Sequence, residues 1–189
     1  MLMEELFGRG IMVMGPGKDD PSRQTGIFNM ELLKTFPALK ASEMEKMRWL
    51  EGEWTSVNCV PATSKNPAYE DHSFGKYTFC EKDSWICLVG KDERERRFIT
   101  FDPFSRQWIY LLAEGAYGIL RSQGWNGEEL VFEGEMTMIG VNCILRQTWT
   151  RNGNNEFSFI NEEKLADGSW GYVDEWKLKR KQPYLRTEA

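Results

Sequence analysis

From residue 54 to residue 180 the chain consists of short runs rich in β-branched and aromatic residues, separated by turn residues. Runs of this kind, recurring about every ten positions, predict β-strands. Asn126-Gly127 and Asp167-Gly168 favour the tight turns that join hairpins. No long helical run interrupts the strands, so they are expected to pair antiparallel. Because closure removes unpaired strand edges, the pattern predicts an all-β protein, a closed antiparallel up-and-down β-barrel of about ten strands.

The N-terminal part of the chain lacks this alternation and is rich in glycine, proline and methionine. Phe28–Phe36 has helical spacing but is followed by Pro37, which predicts a short helix that ends there. Ser42 with Glu45 resembles a capping box and predicts a second helix of about two turns before the first strand. We therefore predict a partly irregular lead-in arm over residues 1–40, a barrel domain over 41–181 and a C-terminal tail over 182–189.

Side chains alternate along a strand, so pairing the hairpins assigns the two faces of the barrel. Starting from Leu111 opposite Ile119, the predicted inner face comprises Phe98, Thr100, Ile109, Leu111, Ile119, Arg121, Leu130, Phe132, Met136, Cys143, Leu145, Gln147, Trp149, Phe157, Phe159, Asn161, Tyr172, Asp174, Trp176 and Leu178. The predicted outer face is mainly charged or polar: Glu133, Glu135, Asn142, Arg146, Thr148, Glu156, Ser158, Glu162, Glu175 and Lys177. Ile99, Trp108 and Tyr110 also fall outside, where the arm or another subunit would have to cover them.

Composition and charge narrow the function classes. The 189 residues carry a formal net charge of −5, which disfavours nucleic acid as a partner. No segment approaches the roughly 20 apolar residues of a membrane span, and Ile11–Met14 is too short for the core of a signal peptide. We therefore expect a cytoplasmic protein with no membrane partner, and a monomer and a homodimer both remain open. The four cysteines form no C-x-x-C pair and are expected to be reduced.

Several short motifs carry a family resemblance. Gly52-Glu53-Trp54, at the entry to the first strand, resembles the G-x-W signature of lipocalins and fatty-acid-binding proteins. Phe101-Asp102-Pro103, Gly124-Trp125-Asn126-Gly127 and Arg146-Gln147-Thr148 resemble a bacterial family of lipocalin-like (calycin superfamily) proteins of unknown function. The resemblance covers roughly residues 47–180. It implies a lipocalin-like barrel with a cavity, in which Trp54 closes the floor beneath a basic residue of the last strand, Lys179 or Arg180.

The departures from that superfamily limit what is carried over. The last strands lack the Arg-x-Tyr pair with which fatty-acid binders hold a carboxylate. Nitrobindin-like barrels hold haem through a late histidine, whereas the only histidine here is His72, before the second predicted strand. We therefore predict that His72 is an exposed loop residue, and no haem, metal or other cofactor is expected.

Catalytic motifs are equally scarce. The chain has no G-x-S-x-G, no Gly-rich phosphate loop and no H-E-x-x-H, so a binding protein is favoured over an enzyme. The expected ligand is a small, largely apolar or amphipathic molecule with an acidic or carbonyl group, held in the barrel. The candidate ligand-binding residues are Tyr77, Arg121, Phe132, Gln147, Trp149, Asn161, Asp174 and Trp176.

The role of Arg121 and two alternatives to a binding protein stay open at this stage. An inward Arg121 would either pair with Asp174 as a structural ion pair or anchor the acidic ligand. The inward carboxylate and arginine would also permit an enzyme that acts on such a ligand. The other alternative to a binding protein is a barrel that serves only as a non-catalytic interaction module.

Overall fold

The structure is a computed structural model that describes residues 30–90 and 96–181. A helix α1 (Met30–Glu45) and a 3₁₀ turn (Arg48–Leu50) precede the strands. The strands are β1 (Gly52–Val60), β2 (Tyr69–Cys80), β3 (Trp85–Gly90), β4 (Arg96–Asp102), β5 (Gln107–Glu114), β6 (Ala116–Ser122), β7 (Trp125–Asn126), β8 (Glu129–Met138), β9 (Val141–Arg151), β10 (Glu156–Lys164) and β11 (Trp170–Arg180). Among the described residues no helix is long and apolar enough to cross a membrane.

The strands form one antiparallel sheet that closes on itself. Its order is β6-β5-β4-β3-β2-β1-β11-β10-β9-β8-β7, and β6 also pairs with β8. The two-residue β7 pairs only with β8 among the described strands and does not form a separate strand of the barrel wall. Ten strands therefore close the barrel. This confirms the predicted closed antiparallel barrel with a helix before it.

Two glycines allow the closing strands β6 and β8 to approach each other. A Cβ atom on Gly118 would lie 2.7 Å from Met136 Cα, and one on Gly134 would collide with the carbonyl oxygen of Ile119. Each glycine therefore leaves the space that the facing backbone occupies.

The first and last strands pair as predicted, with Trp54 opposite Arg180 and Cys59 opposite Glu175. Trp54 is fully buried at the start of β1, and its Nε1–H donates to the Leu50 carbonyl oxygen at 2.7 Å. The Arg180 guanidinium lies 4.4 Å from the Trp54 ring centroid and donates to the carbonyl oxygens of Trp49 and Glu51. The floor of the barrel is thus a tryptophan covered by a cation from the last strand.

The lead-in helix differs from the prediction. Helix α1 continues through Pro37, so the predicted end at Phe36 is wrong, and Ser42 lies inside the helix instead of capping a second one. Proline in a helix interior removes one backbone hydrogen bond, and here Pro37 is exposed. The C-terminal part of the helix is held by Met44, which is buried beneath the barrel floor. The helix spans residue 40, and the division into arm, barrel and tail stays a prediction.

The predicted faces are correct over β8–β11 except at Tyr172, which was predicted inside but is 51% exposed opposite the outward Glu162, beyond a bulge in the β10–β11 pairing. Buried side chains there alternate as expected: Leu130, Phe132, Met136, Gln147, Trp149, Phe157, Phe159 and Leu178. Over the same strands Glu133, Glu135, Glu156 and Lys177 are exposed, as predicted.

Over β4–β6 the predicted faces are inverted. Ile99, Trp108 and Tyr110 are buried inside the barrel, at 1%, 0% and 2% exposure, whereas Ile119 and Arg121 are exposed outside. The registers themselves are correct, since Leu111 lies opposite Ile119 and Phe98 opposite Leu111. Phe98, Ile109 and Leu111 therefore also belong to the outer face.

The inversion arises at Gln123-Gly124, between β6 and β7. Gly124 has a φ of +115°, and its N–H donates to Ser122 Oγ, so the chain leaves the extended conformation there. Alternation from Trp125 back to Arg121 consequently slips by one residue, and a slip of one moves every side chain to the opposite face. A strand that continued without this break would place Arg121 inside.

The remaining predictions concern single residues. His72 is exposed as predicted, but it lies within β2 instead of a preceding loop. None of the four cysteines, all of which lie among the described residues, is in a disulfide; Cys87 lies opposite Thr78, and Cys80 opposite Trp85. The start of the predicted helix at Phe28 and the tail over 182–189 fall outside the described residues.

Candidate functional site

A chain of hydrogen-bonded polar side chains crosses the inner wall of β9–β11 and β1. Trp149 Nε1 donates to Gln147 Oε1, Gln147 Nε2 donates to Asn161 Oδ1 at 2.8 Å, and Asn161 Nδ2 donates to Asp174 Oδ1 at 2.6 Å. Asn58 Nδ2 donates to the other carboxylate oxygen of Asp174 at 3.3 Å. Strand register brings these residues together, because Asn161 lies opposite both Gln147 and Asp174.

The hydrogen bonds in this row of side chains all run toward one carboxylate. Every donor points along the row toward Asp174, whose two carboxylate oxygens accept from the amides of Asn161 and Asn58. A buried polar group costs little when its hydrogen bonds are made, and a connected network fixes side-chain orientation. The network therefore gives this wall of the barrel one defined arrangement.

Aromatic rings stack beside the polar chain and deeper in the barrel. Phe159 lies between Trp149 and Trp176, with centroid distances of 5.7 and 5.8 Å and interplanar angles of 21° and 18°. Trp149 and Phe132, whose centroids are 5.8 Å apart, are almost completely buried and belong to the packed core. Trp176 is only partly buried, so the stack ends in an aromatic face toward the open end of the barrel.

A cavity of about 360 Å³ lies against that face. Aromatic and aliphatic side chains form about half of its lining: Tyr77, Leu88, Phe159, Trp176 and Leu178. The other half is polar and includes Arg97 on β4, Ser56 on β1, and Asp71, His72 and Ser73 on β2. Small-molecule sites combine such apolar walls with a few polar groups that fix orientation, in cavities of roughly 300–1,000 Å³.

Arg97 is the basic residue in this cavity, and sequence reasoning missed it. Arg97 lies on β4, opposite Leu112 of β5. It precedes Ile99 by two residues, so both side chains lie on the inner face. The signal was present in the sequence, because Arg97, Ile99 and Phe101 alternate with the outward residues. The inverted face assignment placed that whole series outside the barrel.

Tyr77 stands beside Arg97 as a buried phenol. Burial raises its pKa, the nearby Tyr110 hydroxyl raises it further, and attraction to the Arg97 cation lowers it in part. Tyr77 therefore stays neutral at physiological pH and can donate its hydroxyl hydrogen. The cavity thus combines the Arg97 cation and the neutral Tyr77 hydroxyl with the Asp71 carboxylate and the hydroxyls of Ser56 and Ser73.

The structure divides the eight predicted site residues into four groups. Tyr77 and Trp176 line the cavity, and Gln147, Trp149, Asn161 and Asp174 form the polar chain. Phe132 is packed in the core. Arg121 is the correction: it is exposed on the outer face opposite Glu133, so neither an Arg121–Asp174 pair nor a ligand anchor at Arg121 exists.

A larger groove of about 720 Å³ lies outside the barrel, between α1 and the turns that follow β2 and β4. Burial lowers the pKa of Lys40 at its edge, and the nearby Asp102 carboxylate partly opposes this shift. Arg48 crosses the groove to Asp83 at 3.0 Å, so the charges there pair within the protein. Within residues 30–90 and 96–181 no cluster of His, Cys, Asp or Glu could hold a metal ion.

Comparison with known proteins supports the fold and nothing finer. No family model matches the chain, and no curated protein matches it. The crystal structure of Rv2717c from M. tuberculosis superposes with a TM-score of 0.53 at 11% identity, covering 74% of this chain and 98% of that chain. At this identity the likeness concerns the barrel fold alone.

Proposed function

We propose that the barrel binds a small, largely apolar molecule with an acidic or carbonyl group, in the cavity beside Arg97. We also propose that the chain is a lipocalin-like (calycin) protein of the cytoplasm, without a nucleic-acid or membrane partner. The Gly52-Glu53-Trp54 motif and the Arg180 cation over the Trp54 ring support the lipocalin-like assignment. The net charge of −5 supports the absence of nucleic acid.

The position of Arg97 is the observation that carries the binding proposal. A guanidinium beside aromatic and aliphatic side chains favours a negatively charged or carbonyl oxygen, because hydrogen bonds from a charged donor are stronger than those between neutral groups. Tyr77 offers a neutral hydroxyl beside it, and Trp176 offers a flat face for a ring. A ligand that carries an oxygen at one end of an apolar ring system would contact all three groups.

The test compares naphthalene carboxylate with methylnaphthalene by isothermal titration calorimetry. The parent protein should bind the carboxylate more tightly, and Arg97→Met should remove that preference. Hydrogen bonds to charged groups contribute about 1.5–3 kcal/mol. The expected loss in affinity is therefore about 10- to 100-fold for the carboxylate, with little change for methylnaphthalene.

Arg121→Met is the matched control, since it removes a guanidinium from the outer wall and leaves the cavity unchanged. Equal carboxylate affinity in the parent and in Arg97→Met would contradict the proposal. Failure of the folded parent to bind either compound, together with native mass spectra that show no retained molecule, would contradict it as well.

Catalysis at Asp174 has less support. Both of its carboxylate oxygens accept amide hydrogen bonds, from Asn58 and Asn161, which is how a structural carboxylate is satisfied. Binding therefore remains the function that the site supports best.

A further inference from the structure

Strands β4–β6 are apolar on both faces. Their inner face contributes Ile99, Trp108, Tyr110 and Leu120 to the core. Their outer face carries five further large apolar side chains, which we call the β4–β6 outer face: Phe98, Ile109, Leu111, Tyr117 and Ile119. This two-sided pattern is also why the alternation alone admitted the inverted assignment.

The register gathers these side chains into one patch. Phe98, Leu111 and Ile119 lie opposite one another in a single row across the three strands. Ile119 is 40% exposed and Tyr117 is 62% exposed. Phe98 continues the patch toward β3, where its ring meets Trp85 edge to face at 6.4 Å.

The opposite side of the barrel is different. The outer wall of β9–β11 carries Arg146, Glu162, Glu175 and Lys177, including an Arg146–Glu162 ion pair at 2.7 Å. An antiparallel sheet with one face in water normally alternates in this polar way. A contiguous apolar patch on the outside, by contrast, marks an interaction surface.

The charges that border the patch favour a particular occupant. Arg121 flanks it on β6, and Glu133 and Glu135 follow on β8, opposite Arg121 and Ile119. A surface that holds an apolar row with both signs of charge at its border is complementary to itself. In a two-fold dimer every patch residue faces the same patch on the other copy, so each copy offers both a guanidinium and carboxylates.

The patch also has the extent that a dimer requires. Strands about 4.8 Å apart, with a rise of about 3.3 Å per residue, give β3–β6 and β8 a face of roughly 24 by 23 Å. This is about 550 Å² per copy, so a two-fold contact would cover about 1,100 Å² in total, above the roughly 1,000 Å² that a specific interface needs.

We propose that the β4–β6 outer face is the homodimer interface of this protein, covered by a second copy of the chain. The apolar row forms its centre, and Arg121 with Glu133 and Glu135 forms its polar border. This proposal is independent of ligand binding, because the cavity opens inside the barrel.

The test measures the mass of the full-length protein by size-exclusion chromatography with light scattering over a range of concentrations. The 22.1 kDa chain should elute at twice that mass. Ile119→Asp should weaken dimerisation about tenfold or more, as expected for the centre of an interface. Ile160→Asp is the matched control, because Ile160 is 36% exposed on the outer side of β10, and it should leave the dimer intact.

Circular dichroism establishes that each variant is folded, and Tyr117→Ser gives a second variant at a more exposed position should Ile119→Asp unfold. A monomeric parent at all concentrations would overturn the proposal, as would equal effects of Ile119→Asp and Ile160→Asp. A protein that dimerises only after deletion of residues 1–29 would also overturn it, since the chain's own N-terminal segment would then be the occupant.

Discussion

Replacing Trp54 tests whether the floor of the barrel carries much of its stability. Trp54 is 0% exposed, and its ring packs edge to face against Trp49 and Phe157 at 6.1 and 5.0 Å. Truncation of a buried tryptophan to alanine costs about 3–5 kcal/mol of unfolding free energy. We expect Trp54→Ala near the upper end of that range, because it also removes the hydrogen bond to Leu50 and the ring beneath Arg180.

Two further variants separate these contributions. Trp54→Phe keeps most of the packing but leaves the buried Leu50 carbonyl without its donor, which should cost about 1–3 kcal/mol. Trp170→Ala is the control. The Arg146 guanidinium lies over the Trp170 ring at 4.3 Å, as Arg180 does over Trp54, but Trp170 is only partly buried and lies away from the floor. We expect this control to cost about 1–2 kcal/mol, from cation–π contact and partial burial.

Urea unfolding followed by far-ultraviolet circular dichroism is the suitable assay, since tryptophan fluorescence changes with each variant. The slope of the unfolding free energy against urea should stay constant while the midpoint falls. A Trp54→Ala variant that loses no more stability than Trp170→Ala would refute the role of Trp54 in the floor.

Three other variants test separate features. Gly134→Ala should cost about 1–3 kcal/mol of unfolding free energy by overpacking against the Ile119 backbone, and a urea midpoint equal to that of the parent would contradict the close approach. Burial alone would raise the pKa of Asp102, but hydrogen bonds from the Ser105 side chain and neighbouring backbone amides lower it below its ordinary value, so its ionised form stabilises the fold. Asp102→Asn should therefore cost about 1 kcal/mol at neutral pH, a difference that shrinks as pH falls below about 4; a gap that persists in acid would count against this cause. Asp174→Leu should lower the free energy of unfolding by about 1–3 kcal/mol, because it leaves two amides without their acceptor, and an unchanged thermal midpoint would argue against the polar chain.

The sequence by itself determined the architecture. Turn residues between β-rich runs predicted a closed antiparallel barrel, and Gly52-Glu53-Trp54 marked its first strand, because turn chemistry and side-chain alternation are local properties of the chain. Most of the inner face of β8–β11 was predictable for the same reason, since polar and apolar residues alternate there except at the bulge that turns Tyr172 outward. That stretch supplied Gln147, Asn161 and Asp174, which the structure brings into one hydrogen-bonded chain.

Only the tertiary structure decided which arginine faces the cavity. Strands β4–β6 are apolar on both sides, so their alternation fits either phase, and an uninterrupted alternation across Gly124 predicts the wrong one. The positive φ of that glycine shifts the phase by one residue, which moves Arg121 to the surface and Arg97 into the barrel. A single backbone dihedral is invisible in a hydrophobic pattern, yet it determines the side of the sheet on which every earlier side chain lies.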